Sequence, residues 1–194
     1  MDILDTIKSG EWGHYKTDEI GTLLAACEEK CFELNSLPPS AKLRRQNLIK
    51  EIIGDIKEPF ILYSPFHCDF GKNISIGENF VGNFNLTILD EAEVRIGKNV
   101  FIGPNVSIYT VTHAFNHEQR NEGIMRAQPI SIGNDTWICG NVTILPGVSI
   151  GACSIIGAGS VVNSDIPDNV LATGNPCKII RNITESDRLT QIIN

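Results

Sequence analysis

Histidine is the side chain best suited to move a proton at neutral pH, and this chain has four: His14, His67, His113 and His117. His113 closes the run Tyr109-Thr110-Val111-Thr112-His113, where an aliphatic and hydroxyl-bearing stretch passes into a polar segment. That segment carries His117, Glu118, Arg120, Asn121 and Glu122. An imidazole held on one side in this way can take the proton of a hydroxyl, provided a neighbour fixes its tautomer. The spacing His113-x-x-x-His117 also allows a metal site, if the stretch is helical and His67 or Asp69 completes the shell. No Glu follows His113, so the His-Glu-x-x-His pattern is not met. No Walker loop occurs, and Gly147-Val148-Ser149-Ile150-Gly151, which has the Gly-x-Ser-x-Gly spacing, falls on a six-residue repeat rather than on a strand-to-helix elbow, which leaves histidine as the leading candidate.

The elements that must hold His113 announce themselves by period. An aliphatic residue returns every sixth position at Ile132, Ile138, Ile144, Ile150, Ile156 and Val162, and earlier at Ile96, Ile102 and Ile108. Six fits neither a helix nor a long alternating strand. It predicts a parallel β-helix, with units such as Ile96-Gly97-Lys98-Asn99-Val100-Phe101 and Ile102-Gly103-Pro104-Asn105-Val106-Ser107. Two inward side chains make a short strand, and the Gly, Asn, Asp or Pro cluster after them makes the turn, with Gly and Asn tolerating positive φ. Three units close a triangular coil, and coils are stable only when stacked. A less regular block begins at Ile76, and the eight-residue step from Ile88 to Ile96 predicts a bulged corner around Asp90 to Glu93.

Three segments follow. Residues 1–56 form an N-terminal helical segment, with apolar stripes at Leu23, Leu24, Cys27, Cys31 and Leu34 and at Leu43, Leu48, Ile49, Ile52 and Ile53. Pro38-Pro39-Ser40 divides the helices, with Ser40 as the expected N-cap of the second. Residues 57–170 form the β-helix, interrupted by a protruding loop at 109–129 of the kind that is more often functional than decorative. Residues 171–194 break the repeat and are expected to pack back along the outside, bringing Lys178 and Arg181.

The 194 residues suffice for one good core, and the formal net charge of −7 argues against nucleic acid or an anionic membrane as the main partner. The charged N-terminus lacks a secretory apolar run, no stretch is long enough to span a bilayer, and a cytoplasmic protein is expected. The six cysteines are then reduced thiols, with Cys27 and Cys31 sharing a helix face for core packing ahead of a metal or redox pair.

The hexads, Tyr109-Thr110-Val111-Thr112-His113, Trp137-Ile138-Cys139-Gly140-Asn141-Val142, Asn83-Phe84-Asn85-Leu86-Thr87-Ile88 and Gly174-Asn175-Pro176-Cys177-Lys178 together resemble the maltose, galactoside and nodulation sugar O-acetyltransferases, members of the left-handed β-helix, or hexapeptide-repeat, acyltransferases. The resemblance runs nearly the length of the chain. It implies left-handed coils, a homotrimer with active sites between subunits, and direct acetyl transfer from acetyl-CoA to a sugar hydroxyl without a required metal. It makes His113 the general base, Asn83 an orienting group and Gly140 the donor to the oxyanion. The CoA groove maps to Trp137, Gly140, Ala158, Asn163, Ser164, Lys178 and Arg181. Acceptor contacts map to Asp18, Asp69, Asn83 and Glu91. Asp69 agrees with the maltose and nodulation branch where the galactoside branch has Ser, Glu91 replaces Asp, and Cys139 replaces a common Gly.

Three rival readings keep the fold. A hexapeptide-repeat acetyltransferase could serve a non-sugar acceptor such as an antibiotic. A γ-carbonic-anhydrase-like metalloenzyme needs three histidines across an interface, awkward with four so distributed. A non-catalytic β-helix scaffold would not need His113 and Asn83.

Overall fold

Each predicted inward aliphatic is buried: Ile96, Ile102, Ile108, Ile132, Ile138, Ile144, Ile150, Ile156 and Val162 line one continuous core in the computed structural model, which describes residues 9–190. Their strands stack into three parallel faces. The first holds Asp55–Ile56, Ile74–Ile76, Val94–Ile96, Ile130–Ile132 and Ser149–Ile150. The second holds Phe60–Leu62, Phe80–Gly82, Phe101–Ile102, Trp137–Ile138, Ile155–Ile156 and Val170–Thr173. The third holds Phe66–Cys68, Leu86–Leu89, Ser107–Tyr109, Thr143–Ile144 and Val161–Val162. Register is strict, so Ile88 sits beside Ile108 and Ile108 beside Ile144.

The corners divide the work of Gly and Asn differently from the sequence expectation. Positive φ is taken mainly by the Asn or Asp of the turn, as at Asn85, Asn99, Asn105, Asp135 and Asn141. Their side chains form ladders, Asn79 to Asn99 at 2.9 Å, Asn99 to Asp135 at 2.7 Å and Asn85 to Asn105 at 2.8 Å. The glycines at the second place of the hexads serve close approach instead. A Cβ on Gly103 would stand 2.6 Å from the Gly140 nitrogen of the next coil.

Two helices cover the start of the stack. Helix α1 (Asp18–Ser36) is capped by Thr17, whose side chain accepts from the Ile20 N–H, and it buries Ile20, Cys27, Cys31 and Leu34. Leu23 is exposed and Leu24 packs in a separate small cluster with Tyr15 and Phe70, so the stripe is narrower than predicted. Helix α2 (Lys42–Ile52) starts at Ala41 with no side-chain cap, so Ser40 is not its N-cap, and Leu43 faces solvent. The helix pair is fixed to the first coil by polar groups. Asn35 bonds both the N–H and the C=O of Phe66 at 2.9 Å. Arg45 reaches the Leu34 and Leu37 carbonyls at the end of α1 and the Ser64 hydroxyl.

The segment expected as a loop has regular structure. Val111–His113 and Ile124–Ala127 form an antiparallel hairpin, and Gly13–His14 adds a third strand from the far end of the chain. A short helix α3 (His117–Asn121), capped by Asn116, fills its tip. His113 lies on a strand and His117 on α3, so the pair does not have the helical i, i+4 geometry of a zinc site. After the last coil, Lys178–Asn182 folds back antiparallel on Val170–Thr173.

Candidate active site

Chain order fixes which corner each residue occupies. The corner after the third face carries Asp69, Asp90, Glu91 and the hairpin with His113, and further along Asn163 and Ser164. Asp18, exposed at the start of α1, belongs to this side, because Tyr15 N–H donates to the Gly123 carbonyl of the hairpin. The corner before the third face carries Asn83, Gly140 and Ala158. Trp137 stands on the second face and Lys178 and Arg181 on the terminal strand. One chain therefore presents two separate half-sets, divided by a face roughly 15–20 Å wide at ~3.3 Å per residue.

The His113 side is rigid behind and open in front. His113 is exposed, its backbone is in register with Met125, and Ala114 behind it is buried with its N–H on the Ile124 carbonyl. Arg126 stacks over Trp12 with its guanidinium carbon 4.8 Å from the ring centroid. Two residues beyond His113, Phe115 is 90% exposed. Among the described residues no side chain hydrogen-bonds to the His113 ring.

The two extra residues of the bulged corner drive a carboxylate inward. Asp90 is fully buried and accepts the backbone N–H groups of Asp69 at 3.1 Å, Phe70 at 2.9 Å and Asn73 at 3.3 Å. Burial outweighs these donors and pushes its pKa up to about 6. Glu91, also buried, is pushed up to about 9 by burial, then by the charge and hydrogen bond of Asp69, and Asp69 itself is raised chiefly by burial. Burial and the neighbouring Asp69 carboxyl thus both favour the protonated form of Glu91. Thr110 closes the corner, donating to the Leu89 carbonyl at 2.8 Å and accepting from Ala92 N–H at 3.0 Å.

The opposite corner offers unspent donors. Cys139 N–H donates to Ile156 and Asn141 N–H to Pro104, while the Gly140 N–H between them has no acceptor among the described residues. Asn83 accepts the Phe84 N–H on its side-chain oxygen at 2.8 Å, and its amide nitrogen has no acceptor among the described residues. Ala158, Asn163, Ser164 and Lys178 are exposed. Arg181 is held in a bidentate pair with Asp187 at 2.7 and 2.8 Å.

Sequence reasoning did not single out Asp90, Phe115 or Met125. The eight-residue step was the available signal for Asp90; nothing in the sequence marked the other two. Among the described residues, the metal-capable group of three or more side chains is Cys27, Cys31 and Cys68, and it includes no histidine. No helix of the described residues is long and apolar enough to cross a membrane.

Stacked hexads, a protruding histidine hairpin and an unpaired backbone donor at the other corner define a hexapeptide-repeat acyltransferase. Models of the bacterial transferase hexapeptide (six repeats) and of the hexapeptide repeat of succinyl-transferase match residues 129–164 and 93–112. The galactoside O-acetyltransferase of Escherichia coli (strain K12) is 47% identical over 157 residues, 81% of this chain and 77% of its own length. The crystal structure of a maltose O-acetyltransferase from Clostridium difficile 630 superposes with a TM-score of 0.92 at 35% identity, covering 95% of this chain and 99% of that one. A hexapeptide-repeat acetyltransferase from Vibrio cholerae O1 biovar eltor, solved with acetyl-CoA, superposes with a TM-score of 0.87 at 35% identity, covering 95% and 100%. The chain belongs to the maltose, galactoside and nodulation type of sugar O-acetyltransferase family, with its left-handed β-helix and acetyl-CoA as co-substrate.

Proposed function

We propose that this protein transfers the acetyl group of acetyl-CoA to a sugar hydroxyl, with His113 as general base and the site completed by a neighbouring subunit of a homotrimer. The observation that carries the reading is the division of the site. His113 and the Asp69–Glu91 pair occupy one corner, Asn83 and Gly140 another, and two copies side by side would bring unlike corners together. An outward apolar ladder on the second face, Ile61, Val81, Phe101, Trp137 and Ile155 in register, supports such a contact, as does the exposed Phe115.

In this mechanism His113 accepts the hydroxyl proton as the sugar oxygen attacks the thioester carbon. Gly140 N–H stabilises the resulting oxyanion, and Asn83 orients the reacting groups. Collapse breaks the carbon–sulfur bond, and the imidazolium returns its proton to the CoA thiolate. Lys178, and Arg181 once released from Asp187, suit the CoA phosphates. Trp137, Ala158, Asn163 and Ser164 line the remaining course of the cofactor. Asp18, Asp69 and Glu91 lie on the acceptor side, where a protonated Glu91 beside Asp69 offers a sugar hydroxyl both a donor and an acceptor. The six free thiols suit a cytoplasmic location.

The test is CoA release from acetyl-CoA with maltose, glucose, galactosides and chitooligosaccharides, for wild type and His113→Ala. Sugar-dependent release falling by about 10²–10⁴-fold in the variant is expected. Wild-type turnover in the variant would remove the role from His113, and release with none of the sugars would overturn the acceptor class.

A further inference from the structure

Half of the cysteines of this chain converge on one point. Cys27 and Cys31 project from one face of α1 onto the strand Phe66–Cys68, and all three thiols are buried in the main core. The Cys68 sulfur lies 3.6 Å from that of Cys27 and 3.9 Å from that of Cys31, and all three lie within 4.8 Å of one another. With metal–sulfur bonds of about 2.3 Å, two thiolates on one tetrahedral or trigonal ion stand about 3.7–4.0 Å apart. The observed separations meet that spacing with movements of a few tenths of an ångström for the Cys68 pairs.

The elements that carry the sulfurs are fixed independently of them. Helix α1 is held by Asn35 on Phe66 and by Arg45 at its end, and the strand is one rung of the third face. The three donors are therefore preorganised, from residues close in a helix and one about forty positions away. The ligand set is soft, which selects thiophilic ions over Mg(II) or Ca(II). We propose that Cys27, Cys31 and Cys68 form a structural binding site for a thiophilic d¹⁰ metal ion of the Zn(II) or Cu(I) class, clamping α1 to the first coil. Metal entry displaces thiol protons, so affinity rises with pH.

The experiment uses the full chain, reduced with a phosphine. Co(II) serves as the optical stand-in for Zn(II), and Cu(I) is delivered from a chromophoric chelator. About one ion per chain is expected, with a thiolate-to-cobalt absorption band that Zn(II) abolishes, or with withdrawal of Cu(I) from the chelator; the two arms separate the ions. Binding should raise the unfolding midpoint and release protons. Cys68→Ser should weaken affinity at least about 10–100-fold, while a Cys139→Ser/Cys153→Ser variant binds as wild type does. Cys31→Val, which keeps the apolar packing, gives the same reading if Cys68→Ser does not fold. Absence of binding at tenfold excess of both ions, or equal binding by Cys31→Val, would overturn the site.

Discussion

His113 and Asn83 stand at opposite ends of the same β-helix face, one beyond the strand Ser107–Tyr109 and the other before the strand Leu86–Leu89. If each active site takes His113 from one chain and Asn83 from its neighbour, two inactive variants can restore each other. Mixing His113→Ala and Asn83→Ala chains under conditions of subunit exchange should yield about one quarter of wild-type activity, since each site draws the two residues independently. Acetyl transfer measured before and after exchange checks this. No recovery in proven mixed oligomers would mean that one chain supplies both residues.

Gly103 and Gly140 stack in adjacent coils at the proposed oxyanion corner. A Cβ on Gly103 would meet the Gly140 nitrogen at 2.6 Å and the Cys139 carbonyl carbon at 2.8 Å, both backbone atoms. Gly103→Ala should therefore cost about 1–3 kcal/mol and lower kcat as the Gly140 N–H moves. Gly21→Ala is the control of opposite sign, because nothing lies within 4 Å of that Cβ on α1. It should stabilise by about 0.5–1 kcal/mol. Thermal melts and kcat for both variants decide the matter.

The terminal strand distinguishes its two cations. Lys178 is exposed without an ion-pair partner among the described residues, whereas Arg181 is committed to Asp187. Lys178→Ala should raise the acetyl-CoA KM by about tenfold with kcat little changed, because a ground-state phosphate contact is lost. Arg181→Ala should change KM less. A comparable effect from both would show that the Asp187 pair opens when CoA binds.

The β-helix was legible because its period is enforced at every coil: Ile132, Ile138, Ile144 and Ile150 can reach the core only if each hexad turns the same corner. The proposed base was legible for the same reason, as His113 sits where the beat stops. The structure of the interruption was not legible. Its strands have three and four residues without alternating burial, and their partner Gly13–His14 lies about a hundred positions away. Distance in sequence also hid Cys68 from Cys27 and Cys31. The step of eight marked the corner at Asp90 but carried no sign that the carboxylate turns inward to hold Asp69.

That inward turn makes stability depend on pH in a direction opposite to the usual paired carboxylate. Glu91 keeps its proton in the folded state up to about 9, while the unfolded chain loses it near the ordinary value of 4.5. Between those limits the folded state binds more protons, so stability is full below the lower value and declines as pH rises, by at most about 1.4 kcal/mol per unit for one proton. Asp90, raised to about 6, adds the same sign over the range from 3.8 upward. Glu91→Gln imitates the protonated acid and removes the Glu91 contribution. Its unfolding free energy should match wild type near pH 4.5 and exceed it at pH 8, with a shallower slope between. Denaturant titrations of both proteins across that range make the comparison, and a variant less stable than wild type at pH 8 would mean that Glu91 is ionised in the folded protein.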